Sequence, residues 1–322
     1  MRAIRQDAWG GTETMGLVET EAPEPVFGEV QVRVVAAGVN PVDVYTRQGA
    51  AYNRVLDLPF VNGWDVAGVV EKTGYGVTRF RPGDAVFGMP WFPRAAGGYA
   101  EYVAAPARHF ALMPPELTFT EAAALPLAGL TAWQMLTEVA RVGEGERVLV
   151  SGAAGGVGHL AVQIAKSLGA HVIGTASAAK HSLLYELGVD EAVDYTAAKV
   201  PEAVRDVDAV IQMFGGAPGL EALECLRPGG VLVCGQAAWT PGLHERAAEL
   251  GVRAAAYLVD PDGAGLEALA RLVRDGRLRV RLARTFPLAE AAAAHDLVAT
   301  GRTTGKVVLT VTDQADRTPS GS

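Results

Sequence analysis

The chain has 322 residues, of which 49% are hydrophobic and 20% are charged, and its formal net charge is −8. This balance is typical of a soluble globular protein, and the length favours two domains because single cores rarely exceed roughly 250–300 residues. The acidic charge argues against nucleic acid as the main partner, since binding to a nucleic-acid backbone needs a basic face.

Cysteine content and hydrophobic runs narrow the class of protein further. The two cysteines, Cys225 and Cys234, form no C-x-x-C pair, which argues against a disulfide scaffold and a cysteine-rich zinc site. The opening residues lack the apolar segment of a secretory signal, and no run reaches the ~20 residues needed to cross a bilayer. We therefore expect a cytoplasmic protein without a membrane partner. Residues 312–322 are polar, and a disordered tail is predicted there.

The first third of the chain has the pattern of a small β-rich domain, with short apolar runs between glycine and proline. The predicted strands lie at residues 30–36, 64–71, 84–88 and 99–103. Near Thr118 the pattern becomes helical, and Thr120 is the predicted N-cap of a long helical stretch.

From Arg147 onward, strand-like and helix-like segments alternate. Strands are predicted at residues 147–151, 170–175, 192–195, 209–213 and 231–234, and helices at 159–168 and 180–187. This alternation predicts an α/β fold with a Rossmann-type, doubly wound parallel sheet, and the apolar run 254–259 would close one edge. After a further helix at 266–273, a last strand at 306–311 is expected to rejoin the first domain, because too few residues remain for a third.

A glycine-rich turn, Gly152-Ala-Ala-Gly-Gly-Val-Gly158, follows the first of these strands and opens the next helix. It has dinucleotide-binding spacing, with alanine in the first glycine position. Gly155 would let the backbone approach a pyrophosphate, and Gly158 would let the helix pack closely on the strand. Because a helix N-terminus directs N–H groups at phosphates, the turn is predicted to bind a dinucleotide. The predicted contacts are Ala154, Gly155, Gly156, Val157 and Gly158.

The end of the second strand indicates which dinucleotide is bound. NAD sites usually carry an acid roughly 20 residues beyond the glycines, where it holds the ribose hydroxyls. Residues 172–177 end without an acid, and Ser177 and Lys180 could receive a 2′-phosphate, which favours NADPH. The alternative is that Ser177 caps the following helix and Lys180 is a solvated surface lysine, and both interpretations can hold together.

Five motifs lie in order over almost the whole chain. They are AGVNPVDVY at residues 37–45, GGYAEY at 97–102, GLTA at 129–132, GAAGGVG at 152–158 and TGKVV at 304–308. In these motifs the chain resembles the quinone oxidoreductase branch of the medium-chain dehydrogenase/reductase superfamily, which includes zeta-crystallin. The resemblance implies a GroES-like catalytic domain at residues 1–118, completed by about residues 276–311, and a dinucleotide-binding domain at 119–275.

The same resemblance implies further cofactor contacts: one near the nicotinamide, two at the adenosine phosphate, two after the fourth strand and one in the TGKVV motif. In that order they are Thr131, Lys180 and Tyr195, Phe214 and Gly215, and Lys306. The alternative for Tyr195 is an ordinary aromatic at the end of a strand.

Zinc alcohol dehydrogenases share this fold but carry cysteine and a Gly-His-Glu segment where this chain has Gly38-Val-Asn40 and Gly63-Trp-Asp65. The six histidines and two cysteines have no metal-ligand spacing, so no metal is predicted. Without zinc, a protein donor must stabilise the oxyanion that develops on a quinone or enone. The resemblance places three candidates near the substrate cleft: Asn40, Tyr45 and Tyr52. Asn40 is alternatively a turn former before Pro41, and Tyr45 alternatively packs in the core.

These interpretations together predict an NADPH-dependent reductase of quinones or α,β-unsaturated carbonyls. Two alternatives stay open: an enoyl-thioester reductase acting on CoA or carrier protein, and a non-catalytic NADPH-binding protein with a structural or RNA-regulatory role. The acidic charge weighs against RNA. Because the run 253–259 would leave a sheet edge that needs cover, and relatives commonly pair such edges, we expect a homodimer.

Overall fold

The structure is a computed structural model that describes residues 1–313 and 315–318. The described residues form sixteen strands, numbered here in chain order. They are β1 (Arg2–Gln6), β2 (Met15–Glu19), β3 (Glu29–Val39), β4 (Phe60–Val61), β5 (Asp65–Thr73), β6 (Ala85–Gly88), β7 (Tyr102–Pro106), β8 (Phe110–Leu112), β9 (Arg147–Val150), β10 (His171–Ala176), β11 (Glu191–Asp194), β12 (Val207–Gln212), β13 (Leu226–Cys234), β14 (Arg253–Ala256), β15 (Leu282–Pro287) and β16 (Lys306–Thr310).

Ten α-helices connect these strands. They are α1 (Pro41–Arg47), α2 (Phe119–Ala123), α3 (Pro126–Gln134), α4 (Gly158–Ser167), α5 (His181–Glu186), α6 (Val200–Ala203), α7 (Ala217–Ala222), α8 (Leu243–Glu249), α9 (Gly263–Arg274) and α10 (Ala291–Ala299). A π-helical turn, Met135–Ala140, follows α3 directly. Within the described ranges, no helix has both the length and the apolar character that a membrane span requires.

The chain divides into two compact units. The first contains Met1–Leu130, Asp260–Gly276 and the described residues from Val280 onward, and the second contains Thr131–Val259 with Arg277–Arg279. The predicted boundaries at residues 118 and 275 therefore need correction, because α2 and α9 belong to the first unit. The reason is their packing: α2 lies on β3 and β5, and α9 lies on β8.

The first unit has its core around β3, which pairs with β16, β5 and β7. Eight of its eleven residues are apolar or glycine, and nine of the eleven are buried, as expected for a strand covered on both faces. Strand β16 pairs antiparallel with β3, with Val307 opposite Val39. The last strand therefore lies in the sheet of the first unit.

The second unit is a six-stranded parallel sheet with the order β11-β10-β9-β12-β13-β14. After β11 the chain returns to the middle of the sheet, where β12 pairs with β9. This reversal of strand order is the topological switch point of a doubly wound fold. The predicted Rossmann-type sheet is confirmed, and the predicted edge strand is β14, which ends at Ala256.

Two local predictions need correction. The first helix after the β-rich part is capped by Thr118 rather than Thr120: the Thr118 hydroxyl accepts a bond from the Glu121 amide (3.3 Å), and the Glu121 carboxylate accepts the Thr118 amide (2.9 Å). The tail predicted to be disordered is ordered over residues 315–318, because the Thr120 amide donates to the Ala315 carbonyl (3.0 Å) and Ala315 is buried. Residue 314 and residues 319–322 lie outside the described residues.

Candidate functional site

The predicted cofactor residues of the second unit follow four neighbouring strands. Gly152 comes after β9, Ser177 after β10, Tyr195 after β11 and Phe214 after β12. Because these strands are parallel and adjacent, their carboxyl ends lie along one edge of the sheet. Open α/β sheets bind ligands at this edge, next to the switch point. The structure therefore brings the four segments together.

The glycine-rich turn is fixed by contacts that leave no room for larger residues. The Gly152 amide donates to the Thr175 hydroxyl (3.0 Å), and the Ala153 amide donates to the Thr175 carbonyl (2.9 Å). A Cβ added to Gly158 would lie 2.2 Å from the Gly152 carbonyl oxygen, so this position of α4 accepts only glycine. The predicted role of Gly158 in close packing is confirmed.

The same turn presents unpaired amides. The Gly155 amide is used within the turn, where it donates to the Gly152 carbonyl (2.8 Å). In the described part of the chain, no acceptor is paired with the amides of Ala154, Gly156 or Val157. These groups precede the first turn of α4, where the helix dipole is positive. Their chemistry fits the pyrophosphate of a dinucleotide.

No acid follows β10, as the sequence indicated. Ser177 begins a 3₁₀ turn, Ala178–Lys180, but its side chain makes no capping hydrogen bond, so the helix-capping alternative finds no support in the contacts. Lys180 is partly exposed, and Tyr195 is exposed beyond the end of β11. The three side chains follow adjacent parallel strands and leave a hydroxyl, an ammonium and a phenol at this end of the sheet.

Sequence reasoning missed Asp194, the last residue of β11. Its carboxylate accepts bonds from the Thr196 amide (2.9 Å) and the Thr196 hydroxyl (2.6 Å), and from the Ala178 amide. These hydrogen bonds, with the Thr196 hydroxyl first, lower the pKa of Asp194. The Asp-x-Thr spacing is a signal for such a turn and could have identified it. The carboxylate thus ties the Ser177–Lys180 segment to β11.

The segment after β12 lies against the glycine-rich turn. The Phe214 ring, which is partly exposed, would lie 2.8 Å from a Cβ added to Gly152. The Gly215 amide donates to the Gln236 side chain (3.0 Å). Thr131, the predicted nicotinamide neighbour, is buried at the start of the second unit.

In the first unit, Asn40 belongs to a buried polar cluster. Its Nδ2 donates to Asp65 Oδ2 (2.8 Å), and its Oδ1 accepts from the Lys306 ammonium. Asn40 also precedes Pro41 at the N-cap of α1, which agrees with the alternative that it is a turn former. Lys306 further donates to the Val39 carbonyl (3.2 Å) and lies 3.5 Å from Asp65. Since its three N–H groups are directed at protein acceptors, the predicted cofactor contact of Lys306 needs correction.

A second buried cluster adjoins Asn40. Asp43 Oδ2 accepts from the Asn40 amide (2.7 Å) and from the Tyr99 hydroxyl (2.8 Å), and His295 lies 3.3 Å from that hydroxyl. Burial raises the pKa of Asp43 to about 7, against the lowering effect of both donors. Burial also lowers the pKa of His295 to about 3. Arg47, on the same helix as Asp43, is buried as well.

The Tyr52 side chain is packed against two aromatic rings, and its hydroxyl is a hydrogen-bond donor without a partner among the described residues. Its backbone has a φ of +54°, which is costly for a non-glycine residue and is often found at functional sites. Its ring contacts Trp64 and Phe92 edge-on, with centroid distances of 6.2 and 5.4 Å. Across the described residues, its hydroxyl has no hydrogen-bond partner. Burial raises its pKa to about 12, so the phenol stays protonated. Tyr45 is partly buried on α1.

The described residues contain no group of three or more His, Cys, Asp or Glu that could hold a metal ion. At the positions where zinc alcohol dehydrogenases carry ligands, the chain has Asn40, Trp64 and Asp65. Asn40 Oδ1 accepts from Lys306, and the Asp65 carboxylate accepts from Lys306, from the Asn40 side-chain amide and from the Leu127 backbone amide. These donors therefore do not fit a zinc ion.

Comparison with known proteins agrees with this architecture. Residues 27–115 match the alcohol dehydrogenase GroES-like domain family, and residues 187–309 match a family described as zinc-binding dehydrogenase. The chain is 34% identical to a 2-haloacrylate reductase from Burkholderia sp., over 93% of this chain and 96% of that protein.

Solved structures give the same result. The quinone oxidoreductase from Coxiella burnetii superposes with a TM-score of 0.91 at 36% identity, covering 97% of this chain and 99% of that chain. A mycobacterial protein solved in complex with NADPH superposes with a TM-score of 0.84 at 32% identity, covering 96% and 100% of the two chains. The chain is therefore an oxidoreductase of the medium-chain dehydrogenase/reductase superfamily and belongs to its quinone oxidoreductase branch.

Proposed function

We propose that this protein is a zinc-independent, NADPH-dependent reductase of quinones and α,β-unsaturated carbonyls. The observation that carries the cofactor choice is the combination of an amide-rich turn with a second strand that ends at Ser177 instead of a carboxylate. A 2′-phosphate needs donors and positive charge, which Ser177 and Lys180 offer. The NADPH complex of a relative supports the same choice.

The residues that would hold NADPH fall into three groups. The amides of Ala154, Gly156 and Val157 suit the pyrophosphate. Ser177, Lys180 and Tyr195 suit the 2′-phosphate and the adenosine, and Phe214, Gly215 and Thr131 belong to the segments that would lie along the rest of the cofactor. The Asp194 carboxylate is held in the turn after β11 by its hydrogen bonds and stays ionised, so the positive charge of Lys180 would have to offset it at the 2′-phosphate.

NADPH, when bound, supplies the hydride, and the chain must supply stabilisation of the charge that develops on the acceptor. A conjugated carbonyl that gains hydride at its β-carbon places negative charge on its carbonyl oxygen. A donor in a water-poor site stabilises that charge. We propose Tyr52 as the first donor, because its hydroxyl is protonated and unpaired and its ring is held by Trp64 and Phe92. Asn40 is the second, and Tyr45 a third candidate.

The acceptors of two relatives have a common chemistry. A 2-haloacrylate and a quinone both contain a carbon–carbon double bond conjugated with a carbonyl group. We propose that this chain accepts the same class of small molecule. Enoyl-thioesters contain the same conjugated unit, so crotonyl-CoA is the discriminating substrate for that alternative: turnover of crotonyl-CoA well above that of free enones would replace the proposal.

The experiment that tests the role of Tyr52 compares Tyr52→Phe with the wild type on one enone and one quinone. An enolate is less stable than a hydroquinone anion, so the enone kcat should fall about tenfold to a hundredfold and the quinone kcat less. Tyr75→Phe is the matched control, because that tyrosine is exposed elsewhere in the first unit. Equal, small losses on both acceptors in Tyr52→Phe would exclude Tyr52 as a donor.

We further propose a homodimer in the cytoplasm. Strand β14 forms an edge of the parallel sheet and pairs only with β13 among the described strands, so a second copy could cover it. Cys225 and Cys234 are buried free thiols, as suits a reducing compartment. Light scattering at micromolar concentration should give twice the chain mass, and a monomer would contradict the proposal.

A further inference from the structure

The side chain of Asn40 is held at both ends by charged groups. Its Oδ1 accepts from the Lys306 ammonium, and its Nδ2 donates to Asp65 Oδ2 at 2.8 Å. Its backbone amide donates to Asp43 Oδ2 at 2.7 Å. All four residues are at most 3% exposed.

One donor of this amide is left over. An asparagine amide nitrogen carries two hydrogens. Nδ2 of Asn40 makes one hydrogen bond, to Asp65, and in the residues described here no acceptor is paired with its second hydrogen. A buried donor without a hydrogen bond is unfavourable, so this position suits an acceptor group of a bound ligand.

The charges dictate which way this second N–H points. If the amide turned by 180°, its nitrogen would face the Lys306 ammonium and its oxygen would face the Asp65 carboxylate. Both contacts would be repulsive, so only one orientation is stable. The remaining Lys306 donor goes to the Val39 carbonyl, and Asp65 Oδ1 accepts the Leu127 amide at 2.7 Å, so both charged groups are themselves fixed by the backbone.

A glycine opposite Asp65 leaves the space that its carboxylate needs. Gly38 pairs with Asp65 across β3 and β5. A Cβ added to Gly38 would lie 2.8 Å from the Asp65 Cβ and 2.4 Å from the Ala123 carbonyl oxygen. A larger residue at position 38 would therefore displace the carboxylate that holds Asn40.

We propose that Lys306 and Asp65 are positioning residues, which fix the Asn40 amide so that its second N–H is presented to the oxyanion of the reduced acceptor. This inference rests on the proposed function, in which Asn40 is a donor. If Lys306 and Asp65 were only a buried ion pair that stabilises the fold, removing both charges together would leave the ratio of enone to quinone rates unchanged. If they position Asn40, the same change lowers that ratio.

The test uses the double variant Asp65→Asn/Lys306→Met, which removes both charges without leaving one buried alone. Its enone kcat should fall about tenfold, its quinone kcat should fall less and its NADPH KM should stay unchanged. Lys306→Arg keeps the cation and should retain the wild-type ratio of enone to quinone rates. Lys72→Met, which removes a lysine paired with Glu24 on the surface of the same unit, should change nothing.

Adding Asn40→Ala to the double variant separates positioning from stability. If the pair acts through Asn40, the triple variant should be no slower on enones than Asn40→Ala alone, because interacting residues are not additive. The proposal would be overturned if the enone kcat of the triple variant fell by the product of the two fold-decreases seen in Asn40→Ala and in the double variant. A double variant that keeps the wild-type ratio of rates would overturn it as well.

A readout without turnover keeps this inference distinct from the proposed function. The side-chain amide of Asn40 gives a pair of ¹H–¹⁵N resonances, which the variant Asn40→Ala identifies by their loss. These resonances should shift in Asp65→Asn/Lys306→Met and stay in place in Lys72→Met. Unshifted resonances in the double variant would overturn the positioning role. If the resonances shift in the double variant as expected but the wild type reduces no conjugated carbonyl, the proposed function alone would be refuted.

Discussion

Replacing Asp43 with asparagine should change how stability depends on pH. Asp43 is fully buried, and burial raises its pKa to about 7 from an ordinary value of 3.8. Asparagine can still accept from the Asn40 amide and the Tyr99 hydroxyl, the two donors that Asp43 Oδ2 now serves. The variant Asp43→Asn therefore mimics the protonated carboxyl and removes its titration.

The direction and size of this pH effect on stability follow from the protons bound by the folded and unfolded states. Between pH 5 and pH 7 the folded carboxyl holds a proton that the unfolded one has released, so the stability of the wild type falls as the pH rises through this window. Each pH unit removes about 1.4 kcal/mol, which gives about 2.5 kcal/mol over the window. His295 acts in the opposite direction: with its pKa lowered to about 3, stability is lost as the pH falls below the ordinary value of 6.5. The wild type alone should therefore show a shallow profile.

The assay is urea denaturation of the wild type and Asp43→Asn at several pH values from 5 to 8. Subtracting the two profiles cancels His295 and the other titrating groups. The free energy of unfolding of Asp43→Asn minus that of the wild type should increase by about 2.5 kcal/mol between pH 5 and pH 7 and stay nearly constant above pH 7. A difference that is independent of pH would show that Asp43 is ionised throughout and that burial does not raise its pKa.

Three further predictions concern the cofactor and the metal. Lys180→Ala should raise the NADPH KM about tenfold and leave the NADH KM unchanged, because a charge-assisted contact of about 1.5 kcal/mol is lost; steady-state kinetics with both cofactors measures this. Gly158→Ala should destabilise the protein by about 2 kcal/mol or more in thermal denaturation, because the added Cβ would lie 2.2 Å from the Gly152 carbonyl oxygen, whereas Gly143→Ala in open space should be tolerated. Exhaustive chelation should leave activity intact, and stoichiometric zinc that is lost together with activity would contradict this.

Much of the second unit could be predicted from the sequence. Its strands are apolar runs bounded by glycine and polar residues, and β9, β10 and β12 lie within two residues of their predicted positions. The glycine-rich turn was predictable because its spacing follows from packing: Gly158 has no room for a side chain. The capping box of Thr118 and Glu121 was also readable, since Thr-x-x-Glu is its signature.

The remainder depends on contacts between distant parts of the chain. The amphipathic pattern of α9 predicts a buried face but does not say which sheet covers it, and the helix lies on β8 of the first unit. Lys306 stands in a recognisable motif, yet its partner Asp65 is 241 residues away. The left-handed backbone of Tyr52 likewise has no local signal, because it is imposed by surrounding packing.

Cofactor preference and acceptor class can be measured together, by following NADPH and NADH oxidation by the purified wild type with a quinone, an enone and crotonyl-CoA. We expect kcat/KM to be at least about tenfold higher with NADPH, as follows from a lost contact of about 1.4 kcal/mol with NADH, and we expect both the quinone and the enone to be reduced. Equal use of the two cofactors would contradict the phosphate site at Ser177 and Lys180. No oxidation with any conjugated acceptor would contradict the proposed reaction itself.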